Sequence, residues 1–182
     1  LKKNNLSFQI QKPKCNEEVE KNKLLKIGAS AKKISLELAR LKSKTISKKN
    51  KNKLVVGSDT VISFRGGILN KAKNTKEAKN KIKAISGKKH NIYSSASVFY
   101  NKKEIWNTTQ KTTIKMRRLS DNEIDFYLLK TGKKILSSVG CYQLEELGPN
   151  IIEDIKGDFF NVMGFPLFPF LIFLKKHKKE QR

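Results

Sequence analysis

An α/β or α+β domain built on a mixed sheet is the fold that the sequence predicts, and three observations predict it. The segments Asn91 to Tyr100 and Ile105 to Met116 are rich in β-formers and flank a polar turn, the pattern of a β-hairpin. Three other segments carry apolar residues at helical spacing and are bounded by capping or stop residues, the pattern of helices with one buried face. The chain has 182 residues, 37% of them apolar, which is enough to bury a core.

The elements follow in order. Phe8 to Gln11 suits a short strand. Lys32 to Lys49 places Ile34, Leu38 and Leu41 on one stripe with Ala39 beside them, and Ser30 is placed to cap that helix. Leu54 to Val56 is a compact apolar run that stops at Gly57, so a buried strand is expected to deliver its C-terminal end to Ser58, Asp59 and Thr60. Arg65-Gly66-Gly67-Ile68-Leu69 reads as a hairpin-like turn. Asn74 with Glu77 signals a capped helix with Ala78, Ile82 and Ile85 on its inner face and Gly87 as its stop. In the long hairpin Ile92, Ala96 and Val98 face one way and Ser95 and Ser97 the other, with Asn101 to Glu104 as the turn. Ser120 and Glu123 form a second capping box ahead of Ile124, Tyr127 and Leu128, and Gly132 closes that helix. Short apolar pieces punctuated by Gly140, Gly148 and Gly157 lead to Val162 to Leu174, expected as a buried C-terminal helix.

Composition narrows the function classes. The chain carries 40 Lys and Arg against 16 Asp and Glu, a net charge of +24. Its apolar share excludes a wholly disordered chain, and two isolated cysteines, Cys15 and Cys141, exclude a disulfide scaffold and point to a reducing, cytoplasmic compartment. Leu1, Leu6, Phe8 and Ile10 are separated by polar residues and form no secretory apolar core. The positive charge suits a nucleic-acid-binding module. Lysine far outnumbers arginine and is spread through nearly every segment, however, so a coding bias toward Lys and Asn is the preferred account. The apolar run before Lys175, Lys176, Lys178 and Lys179 suits a peripheral membrane protein, but Pro166 and Pro169 interrupt it and it falls short of the roughly 20 residues of a bilayer span.

Acidic residues are scarce, so their positions are informative. Asp59 follows an apolar strand, where open α/β sheets place ligands, and could hold a hard cation or accept a proton from water; a simple turn cap is the equal alternative. Lys71, ahead of a capped helix, is apt if an anionic phosphate lies between them, although a solvated lysine is the default reading, and the same default holds for Lys42 on its helix. His90 and His177 lack companions for a metal site and read as solvated or core-edge side chains. Cys141, in an apolar stretch, reads as packed.

Several segments in order carry a resemblance. They are Leu54-Val-Val-Gly-Ser-Asp-Thr-Val-Ile, Gly67-Ile-Leu-Asn-Lys71-Ala, and Ala78 with Ile85-Ser-Gly-Lys-Lys-His90, followed by Leu119-Ser-Asp-Asn-Glu-Ile-Asp-Phe-Tyr127, Gly140-Cys-Tyr-Gln-Leu-Glu145 and Gly157-Asp-Phe-Phe-Asn-Val-Met-Gly-Phe-Pro166-Leu. The chain resembles the Maf family of nucleoside triphosphate pyrophosphatases from about Phe8 onward. The resemblance implies an elongated α/β fold, a mixed sheet flanked by helices around a central nucleotide cleft. It implies hydrolysis of a nucleoside triphosphate to the monophosphate and pyrophosphate with a divalent cation, Mg or Mn. Asp59 then corresponds to the proton acceptor and Thr60 to a residue linked to substrate choice. Glu17 would join Asp59 around the metal, Lys42 and Lys71 would neutralise the phosphate chain, and Glu145 would discriminate substrates.

The Asp-Thr pair leans toward dTTP or UTP, while Glu145 with Gly-Cys-Tyr-Gln admits modified nucleotides. The implied partner is the nucleotide, with neither a specific nucleic acid nor a membrane, and a homodimer is the candidate assembly. The family's Ser-x-Ser-Pro-Arg-Arg segment is absent, and Asn70 and Ala72 stand where its Gly and Pro flank the lysine. One domain over residues 1–182, lacking its first strand and part of its first helix, is therefore expected.

Overall fold

The computed structural model describes residues 6–180, and side chains as far as residue 177. Leu1 and the side chains of Lys178 and Lys179 lie outside the described residues. Along the chain run α1 (Glu17–Lys26), α2 (Ala31–Ser47), β1 (Leu54–Phe64), β2 (Gly67–Leu69), α3 (Thr75–Ile85), β3 (Lys89–Tyr100), β4 (Lys103–Met116), α4 (Asp121–Thr131), β5 (Ile152–Lys156), α5 (Phe159–Val162) and α6 (Leu167–Glu180). The strands form one sheet in the order β2-β1-β3-β4-β5, with β1–β2 and β4–β5 antiparallel. The α/β class is as expected.

Local chemistry explains most boundaries. Ser30, Asn74 and Ser120 cap α2, α3 and α4 by accepting from Lys33, Glu77 and Glu123 backbone N–H groups, and Ser120 with Glu123 completes the reciprocal box. The β1–β2 turn uses Arg65 and Gly66 at φ +50° and +79°, and the β3–β4 turn uses Asn101 and Lys102 at +47° and +69°. Positive φ at both central residues is the geometry that matches the twist of a two-residue hairpin.

Four expectations are corrected. Phe8 to Gln11 is irregular, with Ile10 85% exposed, so no apolar surface recruits it to the sheet. The strand from Leu54 does not stop at Gly57 but runs on to Phe64, which puts Asp59 inside a strand and not beyond its end. Ser95 and Ser97 are as buried as Ala96 and Val98, because hydroxyl partners satisfy them. The C-terminal apolar run breaks into α5 and α6, and α6 buries Leu167 and Phe170 while Phe168 and Ile172 stay exposed. No helix among the described residues is long and apolar enough to cross a membrane.

The chain forms two compact units, one comprising the chain up to Asp59, Ser94–Gln110 and the chain from Gly164, the other Thr60–Tyr93 and Lys111–Met163. In the first, Leu24, Ile34, Leu38, Ala39, Val98 and Phe170 are buried, and Trp106 stacks on Phe173. In the second, Ile82, Ile85, Ile92, Ile114, Met116 and Ile124 centre a contiguous apolar core.

Candidate active site

The close approach of β1 to α2 makes the site in the first unit. A Cβ built on Gly57 would lie 2.4 Å from the Ala39 carbonyl oxygen and 2.6 Å from the Ser43 nitrogen, so only glycine lets the strand lie this near the helix backbone. Two residues on, β1 presents Asp59 beside Lys42, which α2 supplies next to Ser43.

Polar groups hold α2 in place. Arg40 Nε donates to both oxygens of Glu104, at 3.0 and 3.2 Å, and Arg40 Nη1 to Glu37 at 2.9 Å. The Ser97 hydroxyl donates to Glu104 at 2.8 Å, Ser43 to Ser97 at 3.3 Å, and Ser35 and Ser95 share a hydrogen bond at 2.7 Å. Such a network, satisfied at every member named, orients one face of the helix rather than merely burying it.

Glu17 enters from α1. Asn16 caps that helix, its side chain accepting from the Val19 N–H, and Glu17 takes the first helical position, where negative charge suits the helix dipole. The Lys42 ammonium donates to Asp59 Oδ1 at 2.7 Å and to the Ser58 carbonyl at 3.2 Å, and pairs with Glu17 Oε2 at 3.0 Å. The Ser58 hydroxyl donates to the Gly164 carbonyl at 2.9 Å, which pins the strand just before Asp59.

The electrostatics follow from this sharing. Burial pushes the Asp59 carboxyl above the usual aspartate value; Lys42 opposes the rise, Glu17 adds to it, and Lys21 opposes it. Burial works to lower the Lys42 ammonium, yet Asp59 and Glu17 outweigh it and hold it above the usual lysine value. The partners differ because Lys42 has two carboxylates while Asp59 shares one ammonium with a like charge. A carboxylate whose affinity for protons is raised in this way is better matched to accepting one from water.

The structure thus brings together Glu17, Lys42 and Asp59. Thr60 begins the second unit, half-buried on β1. Lys71 is exposed in an irregular segment of the second unit, where Lys81 Nζ donates to the Asn70 carbonyl. Glu145 is exposed in a turn of the same unit. His90 is a core residue, 2% exposed, more deeply buried than the solvated or core-edge place expected of it, and Cys141 is packed as expected. Three contributors lie outside what the sequence predicts for the site: Ser58 and Gly164, which pin the strand, and Lys21, whose charge bears on Asp59. Only Lys21 left a signal, four residues after Glu17 and therefore on the same helical face.

The donor set suits a hard divalent cation. Among the described residues no group of three or more His, Cys, Asp or Glu converges on one point. Mg²⁺, however, takes only one or two protein carboxylates and completes its shell with water and phosphate oxygens. Asp59 and Glu17 already converge on one cationic point, the Lys42 ammonium.

Comparison with known proteins identifies the family of the chain. The sequence profile of the family described as "Maf-like protein" matches residues 1–177. A protein of Bartonella henselae named 7-methyl-GTP pyrophosphatase is 37% identical over 176 residues, covering 96% of this chain and 87% of its own. Proteins named nucleoside triphosphate pyrophosphatase are similar too. That of Granulibacter bethesdensis is 32% identical, covering 90% of this chain and 83% of its own, and that of Pelagibacter ubique is 34% identical, covering 96% and 90%.

Proposed function

The chain belongs to the Maf family, and on that premise we propose that it is a nucleoside triphosphate pyrophosphatase, a hydrolase that releases the monophosphate and pyrophosphate. The observation that carries the reading is the Lys42 ammonium held between Asp59 and Glu17.

In this reading Asp59 accepts a proton from the water that attacks the α-phosphorus. The new water-oxygen to phosphorus bond replaces the bond to the bridging oxygen, and pyrophosphate leaves. Lys42 and Lys71 offset the charge that gathers on the leaving group. Asp59 and Glu17 would hold a divalent cation, Mg or Mn, which supplies Lewis-acid polarisation of the phosphate oxygens when bound. Thr60 and Glu145 keep the substrate-choosing roles that family membership implies.

For the base, relatives named 7-methyl-GTP pyrophosphatase support a modified purine nucleotide first, with dTTP and UTP next on the strength of the Asp-Thr pair. Two free cysteines support a cytoplasmic setting, and a homodimer remains the proposed assembly. The test is pyrophosphate release from a panel of 7-methyl-GTP, GTP, dTTP and UTP with Mg²⁺ or Mn²⁺. Cleavage of at least one, lost in Asp59→Asn, is expected. Release of orthophosphate instead of pyrophosphate, or full activity of Asp59→Asn, overturns the reading.

A further inference from the structure

The turn that carries Glu145 rests on a buried histidine that the catalytic reading leaves unused. In the second unit Tyr142 is 4% exposed, and its hydroxyl meets His90 Nε2, at the start of β3, at 2.6 Å. Around that contact the segment closes on itself. The Ser138 hydroxyl donates to the Tyr142 carbonyl at 2.6 Å, and the Gly148 and Glu146 N–H groups to the Gln143 carbonyl at 2.9 and 3.2 Å. Cys141 is fully buried at φ +55°, and its sulfur accepts from the backbone N–H of Ala72, the residue after Lys71. One buried cluster thus touches both the segment bearing Lys71 and the turn bearing Glu145.

A histidine at this place destabilises the fold in a way an apolar residue would not. His90 Nδ1 is buried with no hydrogen-bond partner among the described residues, and the nearby Tyr127 hydroxyl is likewise unpartnered. An orphaned buried polar atom carries its desolvation cost with no hydrogen bond to offset it. What the imidazole supplies in return is direction: an apolar contact lets an aromatic ring slide, whereas a short hydrogen bond holds it at one angle. Burial keeps the imidazole neutral, so the contact persists unchanged at neutral pH.

We infer that His90 is a positioning residue for nucleotide discrimination, which holds Tyr142 and, through it, the 138–148 turn that presents Glu145. The inference rests on the reading that Glu145 takes part in substrate choice. It is tested by the ratio of kcat/KM between the two best nucleotides of the panel, measured on the full chain for Tyr142→Phe, His90→Phe, His90→Gln and Glu145→Gln. A merely structural loss lowers the active fraction for both nucleotides alike and leaves the ratio unmoved.

Loss of one directing hydrogen bond is expected to change the ratio about five-fold in Tyr142→Phe and His90→Phe, chiefly through KM. His90→Gln, which keeps a hydrogen-bonding group toward Tyr142, is expected to restore most of it. If either single variant fails to fold, the double variant His90→Phe, Tyr142→Phe removes both members of the pair and is read in the same way. A shifted ratio in Glu145→Gln with an unmoved ratio in folded Tyr142→Phe and His90→Phe overturns the positioning role alone. An unmoved ratio in Glu145→Gln overturns the reading of Glu145, and the positioning role falls with it.

Discussion

Asp59 Oδ1 lies 2.7 Å from the Lys42 ammonium, in a pair whose side chains are only 13% and 21% exposed. Burial and pairing therefore act on the same two atoms in opposite directions, and removing either partner leaves the other charge desolvated.

Lys42→Met is expected to raise the Asp59 carboxyl further, since its opposing cation is gone while Glu17 stays. Pyrophosphate release should fall by about 10²–10³, the size of effect seen when a preorganised charge partner is removed. Stability should fall by about 1–3 kcal/mol. Steady-state kinetics and thermal unfolding read the two effects separately.

Asp59→Asn keeps the shape and removes the proton acceptor. The expected outcome is a loss of about 10²–10⁴ in kcat with KM little changed. Glu17→Gln, at a more exposed carboxylate, should instead raise the Mg²⁺ concentration needed for half-maximal rate, which a metal titration of the initial rate measures.

Gly57→Ala should separate β1 from α2. The added Cβ meets backbone atoms at 2.4 and 2.6 Å, not a flexible side chain, so the strand itself must shift. A loss of about 1–3 kcal/mol is expected from such overpacking, seen as a lower urea midpoint. Activity measured well below the melting temperature should fall as well, because the same shift moves Asp59 from Lys42.

Stability should fall on acidification through His90. Burial drives its imidazole from the ordinary 6.5 down to about 4. Between those values the unfolded chain binds a proton that the native chain refuses, so unfolding becomes easier as pH drops from about 6.5 toward 4, and this contribution levels off below. At pH 5 it amounts to about 2 kcal/mol relative to neutral pH. Urea melts of the native chain and His90→Gln at pH 7 and pH 5 check it: the gap between the two proteins should narrow or reverse at the lower pH.

Local chemistry made much of the fold legible. The caps Ser30, Asn74 and Ser120 and the inner faces Ala78-Ile82-Ile85 and Ile124-Tyr127-Leu128 are where residue type and spacing predict them. Helix α1 is not legible in the sequence because Leu24 is its one buried residue, which leaves no apolar periodicity. The extent of β1 is not legible in the sequence because Gly57 reads as a stop there, whereas in space it is a point of backbone contact with α2. Ser95 and Ser97 read as an outward face because hydroxyls report polarity, and only their partners on α2 and at Glu104 reveal that they are buried.

By itself the sequence determined the family, through ordered segments characteristic of it, and offered candidates for the chemistry: a carboxylate after an apolar run, a lysine ahead of a capped helix and a lysine on a helix. That much follows from residue type and spacing, which act over a few bonds. The tertiary structure decided that Glu17, from a helix with almost no buried face, shares one ammonium with Asp59, and that His90 is buried against the Tyr142 hydroxyl. Those facts depend on the meeting of segments distant in sequence, and charge sharing and desolvation exist only once that meeting has taken place.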